Sequence, residues 1–296
     1  MYSIKNSRKT AFIVLDHMVF IVFCFLCIFP LIIILSTSLS AEKAIIRDGY
    51  TIIPRDISFE SYIYIFKNSK QILNSYFISI STTALGMVFG LLINSMIAYP
   101  ISRKDFIFGK KISFYVFFTM LFSGGLVPTY MLITGLKMKD TFWVLVIPYL
   151  VAAWNILLLR TFFMTIPAAL VESAKIDGSS ELGSFFRIIL PLSKPSLATV
   201  GLLIAFHYWN DYWLGLLYIS DRNLVNLQYM FYKTMANLEF YINNIKLLQG
   251  SIKADSMPKE STRLALCILT AAPMMIVFPF FQKYFVKGMV VGSVKG

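Results

Sequence analysis

Apolar runs of about 20 residues alternate with polar connections along the whole chain, and this alternation predicts an all-α integral membrane protein with six transmembrane helices. The runs fall at 11–35, 71–100, 114–136, 141–163, 191–219 and 263–285. Short segments of strict apolar–polar alternation, which a transmembrane barrel needs, are absent from the sequence. The second run is rich in Ser, Thr and Gly and holds Asn94, a composition that suits close helix–helix packing and hydrogen bonding. Ser123-Gly124-Gly125 and Pro128 interrupt the third run, where a kink is expected. Residues 36–70 and 220–262 read as two long polar loops.

One stretch breaks the pattern. Residues 166–195 are amphipathic and carry charges of both signs. Pro167 suits a first helical position, where its missing N–H costs nothing. Good helix formers follow from Ala168 to Asp177, and Gly178 can adopt the left-handed conformation that closes a helix. Ser179 or Ser180 can cap a second short helix, and Pro191 opens the next apolar run. A helix–Gly–helix element set between membrane spans looks built to be gripped from outside the bilayer.

Composition agrees with this reading. Of 296 residues, 57% are hydrophobic and only 14% charged, against about a quarter charged in soluble domains. Mean hydropathy is +0.71. The formal charge of +12 fits basic residues flanking spans and facing lipid head groups, and no basic run interleaved with aromatics offers a nucleic-acid surface. The N-terminus, the 101–112 connection and the C-terminal tail are basic, and six spans put all three on one side together with 164–190. The positive side is cytoplasmic, so both termini and the amphipathic segment are expected inside and the two long loops outside. Cys24 and Cys27 lie within an apolar span and read as packing residues; with Cys267 in another span, no disulfide framework or metal site is implied.

The fifth run contains Phe206-His-Tyr-Trp-Asn-Asp-Tyr-Trp213. On a continuous helix His207, Asn210, Asp211 and Leu214 share one face. A carboxylate there must face protein or cavity water. Trp209 and Trp213 have the shape to stack on sugar rings, and Asn210 and Asp211 the chemistry to bond hydroxyls. Asn155 in the fourth run is a similar candidate. Hydrogen bonds to a partner subunit, or an interfacial aromatic belt, explain the same residues without a substrate.

Glu172, Ala174, Gly178, Ile188, Leu190 and Pro191 reproduce the spacing E-A-A-x3-G-x9-I-x-L-P, with Ser173 where the second position is usually Ala. This resembles the cytoplasmic loop of bacterial ABC importer permeases of the type I fold. Phe122-Ser-Gly-Gly-Leu-Val-Pro-Thr-Tyr130, Asp140-Thr-Phe-Trp143, Pro191-Leu-Ser-Lys-Pro195 and the closing 282–296 stretch look like its carbohydrate branch, and within that branch the LplC-like oligosaccharide permeases of the maltose-type G subunit group. The resemblance covers nearly the whole chain. It implies a permease domain over 71–286, with a coupling-helix loop at 164–190 and an external loop at 220–262. An N-terminal part, 1–70, would precede this domain and a cytoplasmic tail, 287–296, would follow. It also implies a multi-pass subunit of the bacterial cell membrane that pairs with a second permease as a heterodimer. Two cytoplasmic ATPase subunits and an external solute-binding protein that delivers a carbohydrate would complete the assembly. Glu172, Ser173, Ala174, Asp177 and Gly178 are then the ATPase-docking residues. Charge-assisted contacts from Glu172 and Asp177 would each contribute about 1.5–3 kcal/mol if desolvated and paired.

The residues weigh against other classes. An integral-membrane glycosyl or lipid transferase needs a carboxylate pair, a metal cluster or a nucleophile with a base. The two histidines lie 190 positions apart, and H-E-x-x-H, D-x-D and G-x-x-x-x-G-K-[ST] do not occur. ATP and Mg are therefore expected on a partner ATPase, with no cofactor, metal or catalytic residue on this chain. A permease for an amino acid, a metal or another non-sugar solute is the remaining alternative.

Overall fold

The computed structural model describes residues 2–67, 69–244 and 260–293. The centre of the 220–262 loop and the last residues of the tail lie outside these. Among the described residues the regular secondary structure is helical apart from one isolated antiparallel bridge between Ser40 and Ile57. Two compact units share the chain, one of Met1–Ser69 with Thr234–Ala271, the other of Lys70–Lys233 with Ala272–Gly296.

In the first unit, helix α1 (Tyr2–Ser38) exposes apolar side chains on every face from Phe12 onward, as a lipid- or protein-facing span requires. Cys24 and Cys27 share that exposure and are free, so they do not pack within this chain. Short helices α2 (Glu42–Asp48) and α3 (Glu60–Lys67) follow in the segment read as a loop. The Glu42 carboxylate accepts hydrogen bonds from the backbone N–H groups of Glu260 and Ser261 at 3.0 Å each. These donors open the last long helix, where orphan N–H groups and the helix dipole both favour a carboxylate.

In the second unit, α4 (Ser69–Ser102) is long and apolar enough to cross a membrane. Three further spans are broken pairs. Helices α5 (Gly109–Leu121) and α6 (Leu126–Gly135) meet at 109°. The expected kink is thus a sharp corner, with Gly125 at φ +87°, ψ 177°, a conformation essentially reserved for glycine. Two 3₁₀ turns, Phe142–Leu145 and Ile147–Tyr149, lead at 49° into α7 (Ala153–Phe163). Fully buried Asn94 repairs that break: its Nδ2 donates to Leu150 O at 2.8 Å and its Oδ1 accepts from Ala152 N at 3.1 Å. Unpaired backbone groups at such a break would cost several kcal/mol each in lipid, about the scale one buried amide side chain offsets here.

The amphipathic segment forms α8 (Ala168–Ile176), α9 (Glu181–Ser184), a π turn (Phe185–Ile189) and the single turn α10 (Leu190–Leu192), which meets α11 (Lys194–Trp209) at 85°. Then come α12 (Trp213–Tyr218), α13 (Leu227–Asn244) and α14 (Glu260–Ser293). The 18-residue α13 lies inside the stretch expected to be loop. One core joins Ala98 of α4, Leu159 of α7, Val171 of α8, Phe185 of the π turn and Val200 of α11. It seats the amphipathic segment on the span bundle.

Candidate functional site

Two places gather the polar side chains. The first is the corner between α8 and α9. Pro167 precedes the first helical residue with φ −58°, ψ 128°, and its carbonyl accepts from Leu170 N at 3.2 Å. At the other end Gly178 sits at φ +81°, its N–H bonded to Lys175 O at 3.0 Å, and Ser179 N bonds Ala174 O at 2.8 Å. These two bonds are a Schellman closure. Ser180 then caps α9, its Oγ accepting from Gly183 N at 3.1 Å.

Glu172, Ser173, Asp177 and Gly178 are exposed at this corner, available to a partner. Ala174 is not: it is buried with Val171, one turn of α8 turned onto its own chain. Its small side chain therefore allows α8 to lie close to this protein rather than to another. The sequence reading missed Ile176, which is 87% exposed one turn beyond Glu172 on the same face. An apolar residue four positions after an exposed acid was the available signal.

Charges at the corner close into a ring. Lys175 Nζ lies 2.7 Å from Glu181 Oε1 and 3.7 Å from Asp105 Oδ2. Arg103 Nη1 lies 2.5 Å from Glu181 Oε2, and the Arg103 guanidinium also forks onto Asp105, with Nε 2.8 Å from Oδ1. The bond from Lys175 holds the Glu181 carboxyl below the usual carboxylate range, and the Arg103 fork does the same to Asp105. A cavity of about 510 Å³ opens beside the ring, lined by Tyr99, Lys104, Phe163, Ile166 and Glu172 among others.

The second place is the break after α11. The helix ends at Trp209, not at Ile219, so His207, Asn210, Asp211 and Leu214 do not share a helix face. Asp211 instead sits in the break. Its Oδ1 accepts from the Tyr149 hydroxyl at 3.0 Å and its Oδ2 from Leu214 N at 3.3 Å, capping α12. Asn226 Nδ2 donates to the Asp211 carbonyl at 2.7 Å. Asn210 is exposed, its Nδ2 bonded to Phe206 O at 3.0 Å. Trp213, the first residue of α12, is exposed too. Trp209 is only 4% exposed and packs with Ala205, Leu227 and Met274, so in this conformation its ring stacks on nothing outside the protein. Asn155 stands half-buried in the first turn of α7. The break thus brings together Asn210, Asp211 and Trp213 and turns Trp209 inward. Among the described residues no group of His, Cys, Asp and Glu is placed to hold a metal ion.

Comparison with known proteins extends over nearly the full length. The chain is 35% identical to the polygalacturonan/rhamnogalacturonan transport system permease protein YtcP of Bacillus subtilis, covering 93% of this chain and 95% of that protein. It is 29% identical to the arabinooligosaccharides transport system permease protein AraQ of Halalkalibacterium halodurans, covering 92% of each. Its fold matches a chain in the crystal structure of a bacterial ABC transporter involved in the import of the acidic polysaccharide alginate. That match has a TM-score of 0.80 and 28% identity, covering 93% of this chain and 96% of that one. Residues 108–291 match the model of the binding-protein-dependent transport system inner membrane component, a stretch that contains the α8–α9 corner and the Asp211 break but not Arg103 or Asp105 of the ring. The chain belongs to that family of inner membrane transport components.

Proposed function

We propose that this chain is the permease subunit of an ATP-driven importer that takes up an oligosaccharide. The similarity to carbohydrate permeases along almost the whole chain carries this reading. The subunit pairs with a second permease, receives solute from an external binding protein and is driven by two ATPase subunits that hold ATP and Mg. Both termini and the 164–190 loop face the cytoplasm. Residues 71–286 form the permease domain, between 1–70 and the 287–296 tail.

The corner at Gly178 suits the role of lever. ATPase closure has to be converted into reorientation of helix bundles, which needs a rigid element projecting from the permease. Glu172, Ser173 and Asp177 present polar contacts on its exposed side, with Ile176 as an apolar knob among them. Ala174 contributes by holding α8 to its own bundle. In the pathway, Asn210, Trp213 and Asn155 are the residues available to a passing sugar, while Asp211 holds the break that presents them.

The test is reconstitution in proteoliposomes with the second permease, the ATPase and the binding protein. Oligosaccharide-loaded binding protein should stimulate ATP hydrolysis and uptake. Glu172→Lys combined with Gly178→Pro should insert normally and abolish both. Undiminished stimulation in that variant sinks the lever, and stimulation only by an amino-acid-loaded binding protein sinks the carbohydrate assignment. Cysteine accessibility at both termini reports their side.

A further inference from the structure

Arg103 lies outside the lever, in the turn between α4 and α5, yet it holds the lever's second helix. Its side chain is 16% exposed, against 58% for Glu181, so the pair is partly shielded on the arginine side. Three elements meet in the ring: the α4–α5 turn through Arg103 and Asp105, α8 through Lys175, and the start of α9 through Glu181. Two cations and two anions alternate, so every charge has opposite neighbours. The Tyr99 hydroxyl joins from the last turns of α4, 3.3 Å from both Arg103 Nη1 and Glu181 Oε2, and its ring meets Phe185 at 5.5 Å.

Lys175 and Glu181 flank Gly178, so their bond also braces the corner that the glycine makes. On either side of the ring the structure is open, with the 510 Å³ cavity toward Phe163 and Pro167 and a second of about 410 Å³ under Leu182 and Phe185. Between these two openings the ion pairs and the Tyr99 contacts join the corner to the end of α4, on the polar side of the core that packs Val171 and Phe185 against Ala98 and Ile101. Apolar contacts are non-directional and let a lever slide or twist against its bundle, so displacement can be lost there and at its chain ends. A side attachment removes that slack and recruits a further helix.

We propose that Arg103 and Glu181 are positioning residues which transmit motion of the 164–190 lever to α4. The inference rests on the lever reading of that segment. Arg103 touches neither solute nor nucleotide; it acts through Glu181 and Asp105.

The experiment is a double-mutant cycle on the reconstituted transporter, with Arg103→Ala, Glu181→Gln and the double variant. Sugar transported per ATP hydrolysed is read beside the amount of ATPase that copurifies. Each single variant should keep wild-type copurification and lower the transport ratio about threefold, the double should be no worse than either, and Arg103→Lys should fall between, since an ammonium reaches one carboxylate without the fork. Wild-type ratios in the singles, or losses that multiply in the double, overturn the proposal. Loss of ATPase from Arg103→Ala also overturns it, by making Arg103 a docking contact. Should Arg103→Ala fail to insert, Glu181→Gln alone decides the matter, because its side chain is more than half exposed. Failure of the lever reading looks different: Gly178→Pro would then couple normally while the ring variants are silent.

Discussion

The Tyr149 hydroxyl donates to Asp211 Oδ1 at 3.0 Å and so ties together the breaks in two different spans. Tyr149 ends the 3₁₀ turns before α7, and Asp211 lies between α11 and α12. Its second oxygen caps α12 and its carbonyl takes a bond from Asn226, so the carboxylate is committed to the protein. Asp211→Ala should therefore lower uptake of every transported sugar by the same factor and destabilise the detergent-solubilised protein by about 1–3 kcal/mol, the cost of orphaning buried partners. Tyr149→Phe should give a smaller loss with the same uniform profile. A change in the ranking of sugars would instead make Asp211 a solute contact.

How much was legible in the sequence depends on where the determinants lie. The span expected at 71–100 appears as Ser69–Ser102 because its signal, a long apolar run, is local. Asn94 was readable as an inter-helix bonding residue because an amide inside such a run needs partners. The break at Asp211 was not readable. Neither Gly nor Pro stands at 210–212, and the interruption is held by Tyr149 and Asn226, distant in sequence. The ring was hidden for the same reason: Arg103 and Glu181 are 78 positions apart and each reads alone as an ordinary surface charge. Helix α13 was lost to composition, since mixed polar and aromatic residues resemble a loop until tertiary packing selects a helix.

Gly178 offers a graded test of the corner. Its φ of +81° is unfavourable for any side chain, and an added Cβ would meet nothing within 4 Å. Substitution therefore acts through the backbone alone, at about 1–2 kcal/mol for most residues, less for Asn and more for β-branched ones. Coupled uptake should fall in the order Gly, Asn, Ala, Val, with expression unchanged. If Val matched Asn, the left-handed corner would not limit transport.

Gly86 tests packing between α4 and α11. A Cβ there would penetrate the ring of Tyr208, whose hydroxyl donates to Val146 O at 2.6 Å. Displacing that ring strains the core and breaks the bond, so Gly86→Ala should destabilise by about 1–3 kcal/mol. Gly201→Ala is the matched control, since its Cβ would rest 3.4 Å from Leu91 Cδ2, an ordinary contact that a flexible side chain accommodates. Thermal unfolding in detergent should separate the two variants clearly; equal midpoints would refute the packing argument.

Asp140 makes stability depend on acid. It adopts φ +54° in the turn before the fourth span, and its Oδ1 accepts from the backbone N–H groups of Ser220 at 2.5 Å and Asp221 at 3.0 Å, while its own N–H donates to Tyr218 O at 3.0 Å. The bonds from Ser220 and Asp221 hold its carboxyl below the usual carboxylate range. A folded value depressed below the unfolded one means that the charged form contributes stability above the unfolded value of about 4, and that this contribution disappears as pH falls through the folded value. Asp140→Asn keeps a side chain that tolerates the left-handed turn but removes the charge. The variant should be less stable than wild type at pH 7, with the difference narrowing only below about pH 4, where wild-type Asp140 takes up its proton. Unfolding midpoints of both proteins between pH 7 and pH 3 measure this. A gap that stays constant across that range would mean that the Asp140 charge contributes nothing to holding the turn against Ser220.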